Sequence, residues 1–497
     1  MLSSVAKTFQ EVAPIKLLRN KLFQQSGFYL VGQILQKAVS FLLLPVWTIY
    51  LTPSDYGIMG TLAAYSGVLS ILLMFGMYGA VTRHYFDFKS DHEAQRRYVS
   101  SNFLFLAVVS GTILTILILF GRPLWGHLSS GSIPFQPYVI LTLLACYGGL
   151  LYGLPYSLYQ AQQKAHKCVA FDLGSFIFSS AISLTLVIGW KMGVYGAVLG
   201  GCIAQILITL IITGLLLKEW FVPKLEWRHV SSTLAFGLPI VPHLLSGWAL
   251  NFVGRVMLER MAPLDEVGRY TLGCNLGMVM MMIVTSINNA YQPYYFNLRI
   301  SSPDWQQKIM RIVLFYVAGI GLVALVGSLF AGELVHLLTP PRYHASARYV
   351  PPVLLGYLMV GFYYFVASPV FFHKKTHLLP FITGAAAILN IGMNYLLIPK
   401  YGAIAAAWAT FICYFFMLVV YYLVVQKLDT FPYPLWRTIL ALVYLLAAIF
   451  VSESVGILTP FAWAMKSAMV VGYSILAIIM FLKPLPSKAV ARGSGSA

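Results

Sequence analysis

Residues 193–217 read GVYGAVLGGCIAQILITLIITGLLL. The stretch holds no charged side chain. A helix of ~20 mostly apolar residues is what a bilayer core requires, whereas a helix at the surface of a soluble globule carries a polar face toward water. This segment has no such face, so it reads as a membrane span. The chain around it repeats the pattern. With ~20 apolar residues as the ruler, the spans fall at 26–50, 57–82, 98–120, 136–161, 168–189, 193–217, 233–258, 266–291, 308–331, 350–372, 378–398, 403–425, 434–451 and 461–482. Every connection is short, which leaves no room for a soluble domain between them.

Composition agrees. Of 497 residues, 59% are hydrophobic and 10% charged, and mean hydropathy is +0.79. A soluble domain carries about 25% charged residues. The apolar surplus has to face lipid.

The net charge of +18 raises the question of nucleic acid, and its distribution argues against it. Of the 33 Lys and Arg residues, 23 lie in loops and tails on the side of the N-terminus and 8 on the other side. Lys37 and Arg255 lie within spans. The excess of cations marks the cytoplasmic side, so both termini are expected in the cytoplasm. The five cysteines (Cys146, Cys168, Cys202, Cys274 and Cys413) all fall in apolar runs, without C-x-x-C pairs or metal spacing with His. They read as small packing residues, and no metal site is expected. The first apolar run is too long for a cleavable signal peptide. Val12–Phe23 alternates apolar residues with Lys16, Arg19 and Lys21, so residues 1–25 are expected as an amphipathic segment on the inner face. Residues 483–497 read as a cytoplasmic tail, ending in an expression scar from Gly493.

The chain also repeats itself at a spacing near 210. Pro53 and Asp55 recur as Pro263 and Asp265, Thr61 as Thr271, and Tyr85-Phe86 as Tyr295-Phe296. Lys191-Met192-Gly193 recurs, one residue short, as Lys400-Tyr401-Gly402. A repeat of six helices begins each copy on the same side of the membrane. The expected fold is therefore all-α: two parallel six-helix lobes at 26–230 and 231–430, then two further helices at 431–482. Carriers of this build bind substrate between lobes near mid-membrane.

The run Leu44-Pro45-Val46, Leu51-Thr52-Pro53-Ser54-Asp55-Tyr56-Gly57, taken with the six-plus-six-plus-two layout, resembles polysaccharide flippases of the Wzx type. These O-antigen transporters belong to the multidrug/oligosaccharidyl-lipid/polysaccharide exporter superfamily. The resemblance covers about residues 20–482, and Gly193-Val194-Tyr195-Gly196-Ala197 with Gly402-Ala403-Ile404-Ala405-Ala406 adds to it. It implies translocation of an undecaprenyl-diphosphate-linked oligosaccharide across the bacterial inner membrane. Membrane lipid and other glycan-assembly proteins are the partners it suggests.

Candidate substrate contacts follow from charge and helical spacing. Lys37 sits near the middle of the first span, where a charge costs ~3 kcal/mol by insertion scales; Gln33 and Gln36 lie on its face. In the repeat-related seventh span His243, Asn251 and Arg255 share one face, and Pro239 and Pro242 bend the helix. The plainer readings are a hydrogen-bonded core histidine at 243 and an ion pair of Arg255 with Glu259. Arg83 closes the second span at the cytoplasmic side, where ordinary interfacial anchoring also explains it. Asp172 is a candidate for a coupling H⁺ or Na⁺; pairing with Lys167 is the plainer reading. No cofactor is expected.

Three function classes remain. A lipid-diphosphate carrier wants cations in its path, as Lys37, Arg83 and Arg255 provide. A multidrug exporter of cations would want carboxylates there. A membrane enzyme using a lipid-linked donor would want long outer loops with acids or histidines. The two longest, 121–135 and 332–349, carry only Glu333 as an acid.

Overall fold

The computed structural model describes residues 21–88, 91–429, 431, 433–453 and 459–482. The tail 483–497 and the expected amphipathic segment up to residue 20 lie outside them. In chain order the helices are α1 (Lys21–Tyr50), α2 (Pro53–Met74), α3 (Met77–His84), α4 (His92–Leu128), α5 (Ile140–Ala161), α6 (Ala165–Leu184) and α7 (Gly193–Trp220). They continue as α8 (Trp227–Gly237), α9 (Val241–Met261), α10 (Leu264–Ser301), α11 (Trp305–Leu329) and α12 (Ala331–Leu338). The last are α13 (Val350–Phe372), α14 (Leu378–Tyr401), α15 (Ala403–Leu428), α16 (Leu435–Glu453) and α17 (Pro460–Leu482). Among the described residues there is no strand. Among the described residues, thirteen helical segments are long and apolar enough to cross a membrane, and α1 adds a shorter apolar stretch, Ile34–Tyr50. The all-α membrane fold is the one the apolar runs predict.

The departures from the expected spans are local. The second span breaks at Phe75-Gly76, where both residues are left-handed with φ of 53° and 68°. A Cβ on Gly76 would stand 2.2 Å from the Gly237 carbonyl oxygen, so glycine permits a close backbone approach as well as the turn. The seventh span begins earlier than expected, as α8, and passes through a 3₁₀ turn at Leu238–Ile240; Pro239 removes a backbone donor there. The segment 121–135 is mostly helical, because α4 runs to Leu128 and Trp125 Nε1 donates to the Ile133 carbonyl at 2.8 Å. The segment 332–349 is also folded, into α12 and the 3₁₀ stretch Pro341–Tyr349.

The chain divides into two compact units. One takes residues up to Val46 and Tyr65–Val241; the other takes Trp47–Ala64 and the chain from Pro242 onward. Lipid chains are as apolar as leucine, so helices associate in a bilayer through close packing and hydrogen bonds.

In the first unit a core of Met77, Val81, Tyr98, Leu106, Leu154, Leu158 and Trp220 ties α3, α4, α5 and α7 together. The glycines of α7 allow close packing. A Cβ on Gly200 would lie 2.5 Å from the Ser183 Cα of α6. In the second unit α13 is central, with 89% of its apolar window buried. It packs on α10, α11 and α15, and α15 turns Ala403, Ala405, Ala406, Ala407 and Ala409 inward.

One feature of the repeat recurs in three dimensions. Gly193 and Gly402 both have positive φ, 56° and 65°, and each opens the following helix. At the second copy the Glu266 carboxylate accepts from Ala403 N at 2.8 Å, satisfying one of the orphan donors of α15.

Candidate functional site

The sequence candidates fall into two groups, one per unit. In the first unit Lys37 is exposed on α1, next to Ile34 and Leu35, which are 47% and 48% exposed. No ion pair among the described residues reaches it. Gln36 is half-buried, and its carbonyl accepts from Ser40 Oγ at 2.8 Å. Gln33 is on the same helix; its side chain lies outside the described part.

Arg83 ends α3 and is exposed. Its Nη1 donates to Asp87 Oδ1 at 2.7 Å, and His84 Nδ1 lies 2.8 Å from Asp87 Oδ2. Hydrogen bonds from Arg83 and His84 hold the Asp87 carboxyl below its ordinary range. The aspartate four residues on is the partner the sequence reading overlooked, although an i,i+4 acid is visible in the sequence.

At Asp172 the expected pairing with Lys167 does not form among the described residues. The carboxylate accepts from Tyr152 and Tyr156, at 3.0 and 2.8 Å. Lys167 instead places its ammonium over the Tyr159 ring, 4.9 Å from the centroid. The two tyrosines lie one helical turn apart on α5, so they reach a single acid on α6.

In the second unit His243, Asn251 and Arg255 share one face of α9, and each bonds a different helix. His243 Nδ1 lies 3.1 Å from Thr383 Oγ1 on α14. Asn251 Oδ1 accepts from Tyr357 OH on α13 at 3.1 Å. Arg255 is only 3% exposed; its Nη2 lies 3.4 Å from Asn275 Oδ1 on α10, its guanidinium lies over Phe252, and its Nε is buried without a hydrogen-bond partner. The polar face inferred from helical spacing is thus a ladder of interhelix hydrogen bonds running along α9.

Three further polar clusters escaped the sequence reading. Arg342 and Tyr343 bond the carbonyls at the end of α1. Asp429 gathers Arg299 and His373, and the Arg299 guanidinium also lies 4.3 Å from the Trp305 ring centroid. Lys466 and Glu333 form a buried pair at 2.5 Å. All three join residues far apart in the chain, so no local spacing announces them.

A bundle of many apolar helices, with interhelix polar ladders in place of a charged surface, is a multi-pass membrane protein. Solved structures share the fold. The lipid II flippase MurJ, in an inward closed conformation, matches with a TM-score of 0.66 at 14% identity, covering 88% of this chain and 98% of that one. An inward-facing multidrug resistance MATE family transporter of the MOP superfamily also gives 0.66, at 12% identity, over 78% of this chain and 93% of that one.

Residues 22–298 match the family described as polysaccharide biosynthesis protein, and the chain belongs to that family. Among relatives, the capsular polysaccharide biosynthesis protein CapF of Staphylococcus aureus is 22% identical over 407 residues, 80% of this chain and 97% of its own length. The Lsg locus putative protein 1 of Haemophilus influenzae is 20% identical over 364 residues, 72% of this chain and 87% of its own length.

Proposed function

We propose that this protein is a flippase, not an enzyme, carrying an undecaprenyl-diphosphate-linked oligosaccharide across the bacterial inner membrane by alternating access of its two lobes. The family match carries the reading, and the character of the polar residues supports it. A diphosphate crossing hydrocarbon has to be neutralised along its way, because an unpaired anion in low dielectric is prohibitively costly. Lys37 is a mid-helix ammonium with no ion pair among the described residues. It is proposed as the central contact, with Gln33 and Gln36 beside it and Arg83 at the cytoplasmic mouth. Arg255, His243 and Asn251 contribute from the second lobe, Arg255 through its field because it is buried. Asp172, held by two tyrosines, is the proposed site of a coupling H⁺ or Na⁺.

The multidrug-exporter reading shares the fold. A cationic drug would want carboxylates where this chain places Lys37, and the flippase reading is preferred for that reason.

The test is glycan export in cells lacking the native copy, with protein level matched. Lys37→Ala should lose most export, while Lys37→Arg should keep part of it, since a guanidinium preserves the charge but not the compact ammonium. Wild-type export by Lys37→Ala would remove Lys37 from the pathway.

A further inference from the structure

A cavity lies wholly within the second unit, where the ends of α11 and α16 meet α15, α17 and the 3₁₀ stretch before α13. Its volume is about 330 Å³, and Ser328, Arg348, Trp408, Ser452, Glu453 and Lys466 supply the polar and aromatic part of its wall. Ligand pockets run from ~300 to 1,000 Å³, so it is large enough for a sugar-sized molecule.

Two of these side chains are built into the protein with bonding capacity left over. Ser328 is 7% exposed, and its hydroxyl is buried without a hydrogen-bond partner. Lys466 is 3% exposed and bonds Glu333 at 2.5 Å, its one hydrogen-bond partner among the described residues. An ammonium has three donors, so two remain. A buried polar group left unmade is costly; both residues line the same cavity, with the Ser328 hydroxyl itself buried in the wall.

The charges select the ligand. Lys466 is neutralised by Glu333, and Arg348 stands 3.5 Å from Glu266 Oε1. Glu453 has no ion pair among the described residues. A phosphate would meet a wall whose cations already have carboxylates and which adds one more. A bare cation would meet Lys466 and Arg348. A neutral ligand with hydroxyls meets neither objection, because each hydroxyl both donates and accepts. It can accept a hydrogen bond from Lys466 and donate one to Glu453. Trp408 adds a rigid apolar face, with its indole stacked on Phe450 at an interplanar angle of 4°.

We infer that this cavity binds a neutral polyol. Two sources offer that chemistry: a sugar residue of the transported glycan, which rests on the flippase reading, or the glycerol headgroup of a membrane lipid, which does not.

The experiment uses the full-length protein carrying Ser452→Cys. All five native cysteines are buried, so maleimide alkylation reports position 452. The probes are glucose, galactose and N-acetylglucosamine at high millimolar concentration, sodium pyrophosphate, and nanodiscs of phosphatidylglycerol against phosphatidylcholine. A sugar at twice its dissociation constant should slow alkylation about threefold by mass action, and the protection should vanish on adding Trp408→Leu or Glu453→Ala. Both variants should elute from size exclusion like the parent. Protection by phosphatidylglycerol with none by free sugar assigns the polyol to lipid. Protection by pyrophosphate equal to that by sugar, or no protection by any probe, overturns the inference. The assay reads the cavity without transport, so its failure leaves the export result of Lys37 untouched, and the reverse holds.

Discussion

Arg342 Nη2 stands 3.0 Å from the carbonyl oxygen of Leu51, 291 residues earlier in the chain. The same nitrogen reaches the carbonyls of Thr48 and Ile49 at 2.8 and 2.7 Å, and the neighbouring Tyr343 hydroxyl donates to Leu51 O at 3.0 Å. The last carbonyls of a helix have no partner within it and carry its negative pole. A guanidinium is well suited to collecting several of them. Arg342→Ala should therefore destabilise the protein on the order of 1 kcal/mol, the site being partly exposed. Thermal unfolding in detergent should show a midpoint a few degrees lower, with Arg342→Lys between the two. An unchanged midpoint for Arg342→Ala would show that water caps the helix equally well.

The two repeat-related glycines should respond differently to the same substitution. Gly193→Ala meets no atom within 4 Å and bears only its left-handed backbone, roughly 1–2 kcal/mol. Gly402 combines φ 65° with ψ −151°, a conformation essentially reserved for glycine, so Gly402→Ala bears more strain, and its Cβ would stand 2.6 Å from Glu266 Oε1, displacing the carboxylate that caps α15. A further loss of about 1 kcal/mol is expected. Equal unfolding midpoints for the two variants would refute the capping role of Glu266.

Acid should weaken the loops in a defined window. Hydrogen bonds from Arg83 and His84 hold Asp87 below its ordinary 3.8, Lys308 does so for Asp304, and Lys224 holds Glu226 below 4.5. Depressed folded-state values mean that the contribution is fully present above the unfolded values and is lost as pH falls through the folded ones. These three groups should leave stability flat from neutral pH down to about 5, with a decline below about 4. Each is exposed, so the effect is small, and Asp87→Asn should remove part of the slope. A decline that begins near pH 6 and is unaffected by Asp87→Asn would point to histidines instead.

The charge distribution predicts that both ends of the chain are cytoplasmic. A C-terminal fusion should be active as a cytoplasmic fluorescent reporter and silent as a periplasmic phosphatase. The opposite pattern would require an odd number of spans.

The sequence made the membrane fold legible because each span answers to one rule, its apolar length. The bend near Pro239 was legible for a similar reason, since proline itself constrains the backbone. The break at Phe75-Gly76 was not. It lies inside an apolar run, and what fixes it is the approach of Gly237, which no local window contains. The site was legible in part. Helical spacing put His243, Asn251 and Arg255 on one face, but their partners Thr383, Tyr357 and Asn275 come from three other helices. Asp172 shows the limit most clearly: Lys167 is the nearer base in sequence, yet the folded chain brings Tyr152 and Tyr156 to the carboxylate.

The Lys466–Glu333 pair also bears on how the protein is made. Its carboxylate is synthesised 133 residues before its ammonium. At ~5–20 residues per second, the ribosome leaves Glu333 without its counter-charge for roughly 7–27 s. During that interval the nascent bundle holds an acid whose permanent partner is still to be translated, and only insertion of the last helix ends the wait. A chain truncated before α17 would keep every other described helix and still lack the ammonium that answers Glu333.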